Sequence, residues 1–195
     1  MSISAQQIKE LRDKTGAGIS DVKKALEDAK GNLEAAFKLL ERKLGSASLK
    51  RASRETKAGL IGSYVHSNGR VAALVEVFCE TDFVARNPGF NELAHDLAMH
   101  VTAMKPIFMS VKDVPPEEWQ TEKARFMEEA KKMNKPPEML ENIVDGKLKA
   151  YFEPLSFLEQ TFVKGQDKKV LEVVNEASGR FGENIKVNKF VRLEI

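Results

Sequence analysis

The stretch Leu60-Ile61-Gly62-Ser63-Tyr64-Val65-His66-Ser67-Asn68-Gly69-Arg70-Val71-Ala72-Ala73-Leu74-Val75-Glu76-Val77-Phe78 decides the fold. Two runs of β-branched and apolar residues, 60–66 and 71–78, flank Ser67-Asn68-Gly69-Arg70. Asn-Gly between such runs is the strongest short-range hairpin signal, because both residues tolerate the positive φ of a tight primed turn. A β-hairpin therefore sits in the middle of a chain whose pattern on either side is helical.

Upstream, Ser4-Ala5-Gln6-Gln7 fits a capping box that starts a helix with Ile8 and Leu11 on its inner face. Thr15-Gly16-Ala17-Gly18 should break it. Val22, Ala25, Leu26 and Ala29 recur at helical spacing before Gly31. Asn32 is a good N-cap for a third helix carrying Leu33, Phe37, Leu40 and Leu44, which Gly45 is expected to end. Residues 46–57, SASLKRASRETK, hold four Lys/Arg, one Glu and a single Leu. They read as a solvated helical or flexible linker, or else as a weak phosphate-contacting patch.

Downstream, Leu93, Ala94, Leu97, Ala98, Val101 and Met104 line one face of a helix beginning near Asn91, which Lys105-Pro106 stops. Trp119, Phe126 and Met133 repeat every seven residues after Pro115-Pro116, and Leu140, Val144, Leu148 and Tyr151 follow the Asn134-Lys135-Pro136-Pro137 break. This predicts an antiparallel helical hairpin over about 115–152. Residues 170–177 read as a helix, 179–183 as a turn, and 185–195 as a closing strand. The predicted class is α+β with a small antiparallel sheet.

Composition narrows the functional classes. The chain has 195 residues, 42% hydrophobic and 31% charged, enough for a sizeable core. It holds no apolar tract of the about 18 residues needed to cross a bilayer. Met1-Ser2-Ile3-Ser4 lacks the basic and apolar regions of an export leader, and the single cysteine, Cys79, forms no internal bridge. A cytoplasmic protein without a membrane partner is expected. Net charge is only +2, but residues 1–57 carry 13 Lys/Arg against 8 Asp/Glu, so a basic module precedes a mildly acidic body.

Signatures of covalent chemistry are weak. Neither a G-x-x-x-x-G-K-[ST] loop nor a G-x-G-x-x-G turn is present. His95 and His100 are five residues apart, not the i, i+4 of a helical zinc pair, so neither a metal site nor a cofactor is expected. Glu80 and Asp82 beside Cys79 disfavour a thiolate nucleophile. One loop resists a purely structural account: Glu80-Thr81-Asp82-Phe83-Val84-Ala85-Arg86-Asn87-Pro88-Gly89 sets an aromatic among polar residues. Phe83 is either an anchor folded back on the core or a knob for a partner's pocket, and Asp82 either an N-cap or a partner contact.

Leu11-Arg12-Asp13-Lys14-Thr15-Gly16-Ala17-Gly18 with Asp21-Val22-Lys23-Lys24-Ala25-Leu26 resembles the amino-terminal signature of bacterial elongation factor Ts, and Glu80-Thr81-Asp82-Phe83-Val84-Ala85-Arg86-Asn87 resembles its second signature. Leu97-Ala98-Met99-His100-Val101 and Leu158-Glu159-Gln160 with Phe162-Val163-Lys164 extend the likeness over essentially the whole chain. The resemblance implies a guanine-nucleotide exchange factor, not an enzyme, that acts on the GTPase elongation factor Tu in its GDP-bound and nucleotide-free forms. It implies that Thr81, Asp82, Phe83 and Val84 dislocate Mg²⁺ from the Tu nucleotide site, and that Arg12, Ile19, Ser20 and His100 are further Tu contacts, while the residues alone leave a buried helix position open for His100. Ile19-Ser20 stands where many members have two methionines. The implied layout is a three-helix (UBA-like) Tu-binding module over 1–50, a linker over 51–58 and an α+β dimerisation core over 59–195 with a coiled-coil arm. Like short members of the family, the chain is expected to form a homodimer giving a Tu2-Ts2 complex, without direct nucleic-acid contact.

Two other classes compete. A ribosome- or RNA-associated helper would use the basic first third and lose affinity steeply with salt. An enzyme would need a positioned base around Cys79 or His100, and none is evident from the sequence.

Overall fold

The computed structural model describes residues 3–15, 17, 19–133, 136–165 and 167–195. The expected break points Gly16, Gly18 and Asn134-Lys135 lie outside these. Helices α1 (Ala5–Thr15), α2 (Ile19–Asp28) and α3 (Leu33–Arg51) open the chain. Ser4 and Gln7 exchange the two capping-box hydrogen bonds at 3.0 and 3.2 Å. Thr15 closes α1 with its hydroxyl, donating to the Leu11 carbonyl at 2.6 Å and accepting from the Ala17 amide at 3.2 Å. Between α2 and α3 the chain reverses through Lys30 and Gly31, both at positive φ, and the Asn32 side chain accepts from the Ala35 amide at 3.0 Å. Leu11, Val22, Leu26 and Leu40 meet in one buried cluster. Gly45 does not end the third helix, which runs on to Arg51. A lone helical glycine costs only about 1 kcal/mol, and the packing of α3 along α8 (Val170–Phe181) outweighs it.

Strands β1 (Ala58–Val65), β2 (Val71–Cys79) and β3 (Lys186–Glu194) form an antiparallel sheet in the order β1-β2-β3. The expected hairpin forms, but not through a two-residue primed turn: Ser67 and Asn68 are the central residues of a turn closed by the Gly69 amide on the His66 carbonyl at 2.8 Å, only Gly69 takes a positive φ, +68°, and Asn68 Oδ1 accepts from the Arg70 amide. A bulge between Glu76 and Val77 accommodates Asn188, whose side-chain amide donates to Glu76 at 2.8 Å. Ala73, Val75, Val77 and Cys79 point to one face of β2 and are buried.

That face is covered by α5 (Pro88–Met104), which buries Phe90, Leu93, Ala94, Leu97, Ala98 and Val101. It stops at Lys105 in the left-handed region, φ +50°, just before Pro106. The opposite face of the sheet leaves Ile61, Val65, Leu74, Val191 and Leu193 exposed.

Helices α6 (Pro116–Lys131) and α7 (Pro137–Phe152) pair antiparallel around Phe126, Ala130, Val144, Leu148 and Phe152, with Trp119 stacked on Phe152 at 5.2 Å between ring centroids. Met133 and Tyr151, expected in this seam, are exposed, and Phe152 fills the place expected of Tyr151. Helix α8 continues through the expected 179–183 turn as far as Phe181, because the Phe181 ring packs edge-on against Phe90 at 6.0 Å. Gly182, φ +75°, then ends it.

Gly62 marks where β1 and α5 touch: a Cβ there would overlap the Ala94 carbonyl, which is backbone and has no rotamer to yield. Gly62→Ala should destabilise the chain by about 2–3 kcal/mol, an overpacking cost, and lower its thermal midpoint by roughly 5–10 °C. Ser63→Ala, one residue on and pointing to solvent, should leave the midpoint nearly unchanged when both are followed by circular dichroism.

Candidate functional site

The connection between β2 and α5 folds as a single helical turn, α4 (Asp82–Ala85). Thr81, not Asp82, is its N-cap: its extended backbone starts the turn and its hydroxyl accepts from the Val84 amide at 3.4 Å. Asp82 occupies the first helical position, exposed, where a carboxylate favours the helix N-terminus. Val84 turns inward and is buried. Phe83 points away from the core and is 83% exposed, so it is not an anchor folded back on the core. At the far end the Asn87 side chain accepts from the Gly89 amide at 2.9 Å and starts α5.

What fixes this turn comes from a distant part of the chain. The Glu183 carboxylate, from the bend between α8 and β3, accepts from the Glu80 and Thr81 amides at 3.0 and 3.1 Å and from the Thr81 hydroxyl at 2.6 Å. Glu80 in turn accepts from the Asn184 amide at 2.5 Å and from Arg54 at 3.4 Å. Asn184, itself buried, donates its side-chain amide to the Arg54 and Ala52 carbonyls at 2.8 and 3.4 Å. The turn, the bend and the residues just after α3 are thus laced together. Sequence reasoning missed Glu183 and Asn184, which lie about a hundred residues from the turn and match no local spacing rule. The one available signal is two polar residues placed between the apolar Phe181 and Ile185 at the end of a helix.

Cys79 sits beneath this lacing, its thiol donating to the Thr81 carbonyl at 3.2 Å. Burial first, then the carboxylates of Glu183 and Asp82, push its pKa above the usual thiol value. The thiolate is therefore disfavoured, as expected from the sequence, but alongside Asp82 it is Glu183 and not Glu80 that supplies part of the cause.

The other candidate residues fall in two places. Arg12, Ile19 and Ser20 are exposed at the corner between α1 and α2. His100 is fully buried on α5, with Nδ1 accepting from the Val163 amide at 3.2 Å and Nε2 at 2.9 Å from Gln160 Oε1. The Val163 amide requires a lone pair on Nδ1, so Nε2 carries the proton. Gln160 spends its own amide on the Met104 and Pro154 carbonyls, which fixes its oxygen toward the ring. An imidazole with both nitrogens committed inside the core offers no atom to a partner, which departs from its expected place on a contact surface. Among the described residues, no three His, Cys, Asp or Glu side chains cluster closely enough to hold a metal ion, and no helix is long and apolar enough to cross a membrane.

Fold and site define an α+β protein that displays an exposed aromatic on a capped turn at the end of its central strand. The family profile described as Elongation factor TS matches residues 3–195. Proteins named elongation factor Ts match along the full length of the chain: one from Thermotoga petrophila is 48% identical, with 97% of its own length covered. One from Fervidobacterium nodosum is 44% identical with 99% covered, and one from Koribacter versatilis 43% identical with 89% covered. The chain belongs to the elongation factor Ts family, whose role is in translation elongation.

The buried imidazole makes stability depend on pH. Burial holds the His100 pKa below its usual value, and the hydrogen bond to Gln160 only partly opposes this. The unfolded chain therefore binds the extra proton first: the contribution is complete above pH about 6.5 and is lost as the pH falls below it. The thermal midpoint should drop between pH 7.5 and 5.5 more steeply for wild type than for His100→Gln, a comparison in which the carboxylate contributions common to both chains cancel.

Proposed function

We propose that the chain is a guanine-nucleotide exchange factor: it binds the GDP complex of elongation factor Tu and promotes GDP release, so that GTP can reload. The observation that carries this reading is Phe83, 83% exposed on a turn held at both ends. An ordered protein does not ordinarily spend such hydrogen bonding on holding a phenyl ring in water. Burying the ring in a partner is worth about 1.5–3 kcal/mol, and a turn already ordered loses little entropy on docking.

Mg²⁺ neutralises phosphate charge in a nucleotide site, so moving its surroundings weakens GDP without breaking a covalent bond. Thr81, Asp82, Phe83 and Val84 would act there as a unit: Phe83 inserts, Asp82 contacts the same region, and Thr81 and Val84 hold the turn. Linkage makes the effect reciprocal, GDP weakening the factor as much as the factor weakens GDP.

Arg12, Ile19 and Ser20 would form a second contact on a UBA-like module over 1–50, joined by the 51–58 segment to the core over 59–195. His100 would act indirectly, by tying α5 to the chain around Gln160 and Val163. The α6–α7 pair would serve as a coiled-coil arm. The exposed apolar face of the sheet supports a homodimer, and hence a Tu2-Ts2 complex, because Ile61, Val65, Leu74, Val191 and Leu193 form one contiguous face that a second copy could cover. The setting is the cytoplasm, and neither nucleic acid, membrane nor cofactor is required.

Release of a fluorescent GDP analogue from elongation factor Tu tests the mechanism. Wild type should accelerate it, Phe83→Ala should reduce the acceleration about 10- to 100-fold as loss of a central interface aromatic does, and Asp82→Ala should reduce it less. No acceleration by wild type sinks the reading, and salt-sensitive RNA binding without Tu would point to the helper role instead. Light scattering tests the dimer: wild type should have twice the chain mass, and the pair Leu74→Glu with Leu193→Glu should shift it to the monomer.

A further inference from the structure

Three regions stand outside the reading just given: the Glu41, Lys168 and Glu176 cluster between α3 and α8, the acid-rimmed groove beside Ile107 and Tyr151, and the Glu183 clamp. The clamp carries the argument furthest. A one-turn helix has no internal partners for its first amides and would fray in water. Here Glu183 takes the amides of Glu80 and Thr81 on one oxygen and the Thr81 hydroxyl on the other, which aims that hydroxyl so that its lone pair meets the Val84 amide. Removing the carboxylate would release three donors at once, and with them the direction in which Phe83 points.

We propose that Glu183 is a positioning residue for the candidate exchange loop, acting on a partner through the order it imposes on the turn that carries Phe83. The proposal rests on the exchange reading. Its reach extends past the loop, because Glu80 and Asn184 tie the same turn to Arg54 and Ala52, just after α3. Glu183 thus stands where the bundle's exit, the α8–β3 bend and the aromatic converge.

Chemistry distinguishes positioning from plain stability. Glu183→Gln keeps an oxygen for the two amides and a polar end for the threonine hydroxyl, which can rotate to accept, so it should retain most of the activity. Glu183→Ala keeps none. With the fluorescent GDP assay on the full chain, Glu183→Ala should lower the maximal rate of stimulated release about tenfold while the half-saturating concentration moves by less than about twofold. The docking surfaces elsewhere are intact, and only the competent loop population falls. Glu183→Gln should restore at least half of the maximal rate.

In a Phe83→Ala background, Glu183→Ala should cost nothing further, since it acts through that ring. Amide hydrogen exchange over residues 80–85 provides a readout independent of any partner, and should quicken in Glu183→Ala but not in Glu183→Gln. Full maximal rate in Glu183→Ala, unchanged amide exchange in that variant, or an undiminished loss in the Phe83→Ala background would each overturn the proposal. If Glu183→Ala fails to fold, Glu183→Asp takes its place: a carboxylate one methylene shorter cannot reach both amides and the Thr81 hydroxyl from the same backbone, so exchange over residues 80–85 should quicken, and unaltered exchange there overturns the proposal equally. If the amides loosen as expected but wild type does not speed GDP release, the exchange reading falls and this role falls with it.

Discussion

Helix α5 lies so close to β1 that no side chain fits between the Gly62 backbone and the Ala94 carbonyl, and the rest of the core is arranged by that contact. Small residues at Ala94 and Ala98 let the helix down onto the sheet, and Leu97 and Val101 then meet Val75 and Val77 from above. With both ends set, β2 leaving at Cys79 and α5 entering at Pro88, residues 80–87 have one route between them. They cover it with a single helical turn. Consecutive helical residues lie about 100° apart, so a turn that buries Val84 sends Phe83 outward.

Such a turn cannot hold itself, and the chain meets the need with charge. A carboxylate at a helix N-terminus satisfies free amides and complements the dipole, and Glu183 does both. The cost is a concentration of negative charge, Glu80, Asp82 and Glu183, around the Cys79 thiol. Burial first, with Glu183 and Asp82 adding to it, raises the thiol pKa, while Glu80 at the rim bonds Arg54. Burial and these carboxylates disfavour the thiolate form that a cysteine nucleophile would need.

The legible parts of the sequence were those governed by neighbours in the chain. Asn68-Gly69, Ser4 with Gln7, Asn32, and Lys105-Pro106 each act within a few residues, and each forms the structure its local chemistry dictates. The misread elements were those settled across space. Gly45 looks like a stop, but α8 lies alongside. Residues 179–181 look like a turn, but Phe181 has Phe90 to pack on. At the candidate site, Phe83 and its polar neighbours stood out from composition alone, while the orientation of Phe83 and the group that fixes it depended on Glu183. His100 was legible as a helix residue that burial or a contact role would both explain, and its partners Gln160 and Val163, some sixty residues on, decide for burial.

The amino-terminal bundle is held to the core by similar means. Lys168 bridges Glu41 of α3 and Glu176 of α8 at 2.5 and 2.9 Å, above the Phe37 ring. Burial, and secondarily the neighbouring Glu41 carboxylate, raise the Glu176 pKa in spite of Lys168; burial alone would lower the Lys168 pKa, but its hydrogen bonds to the two carboxylates carry it up. Partly buried ion pairs of this kind add little net stability, because desolvation offsets attraction. They do penalise any misregistered packing that leaves a charge unpaired. Asn184 imposes a second such condition by binding the carbonyls just after α3. The placement of α3 along α8 is therefore set by directional polar contacts as well as by packing, since a shifted register would break the Lys168 bridge and the Asn184 hydrogen bonds together.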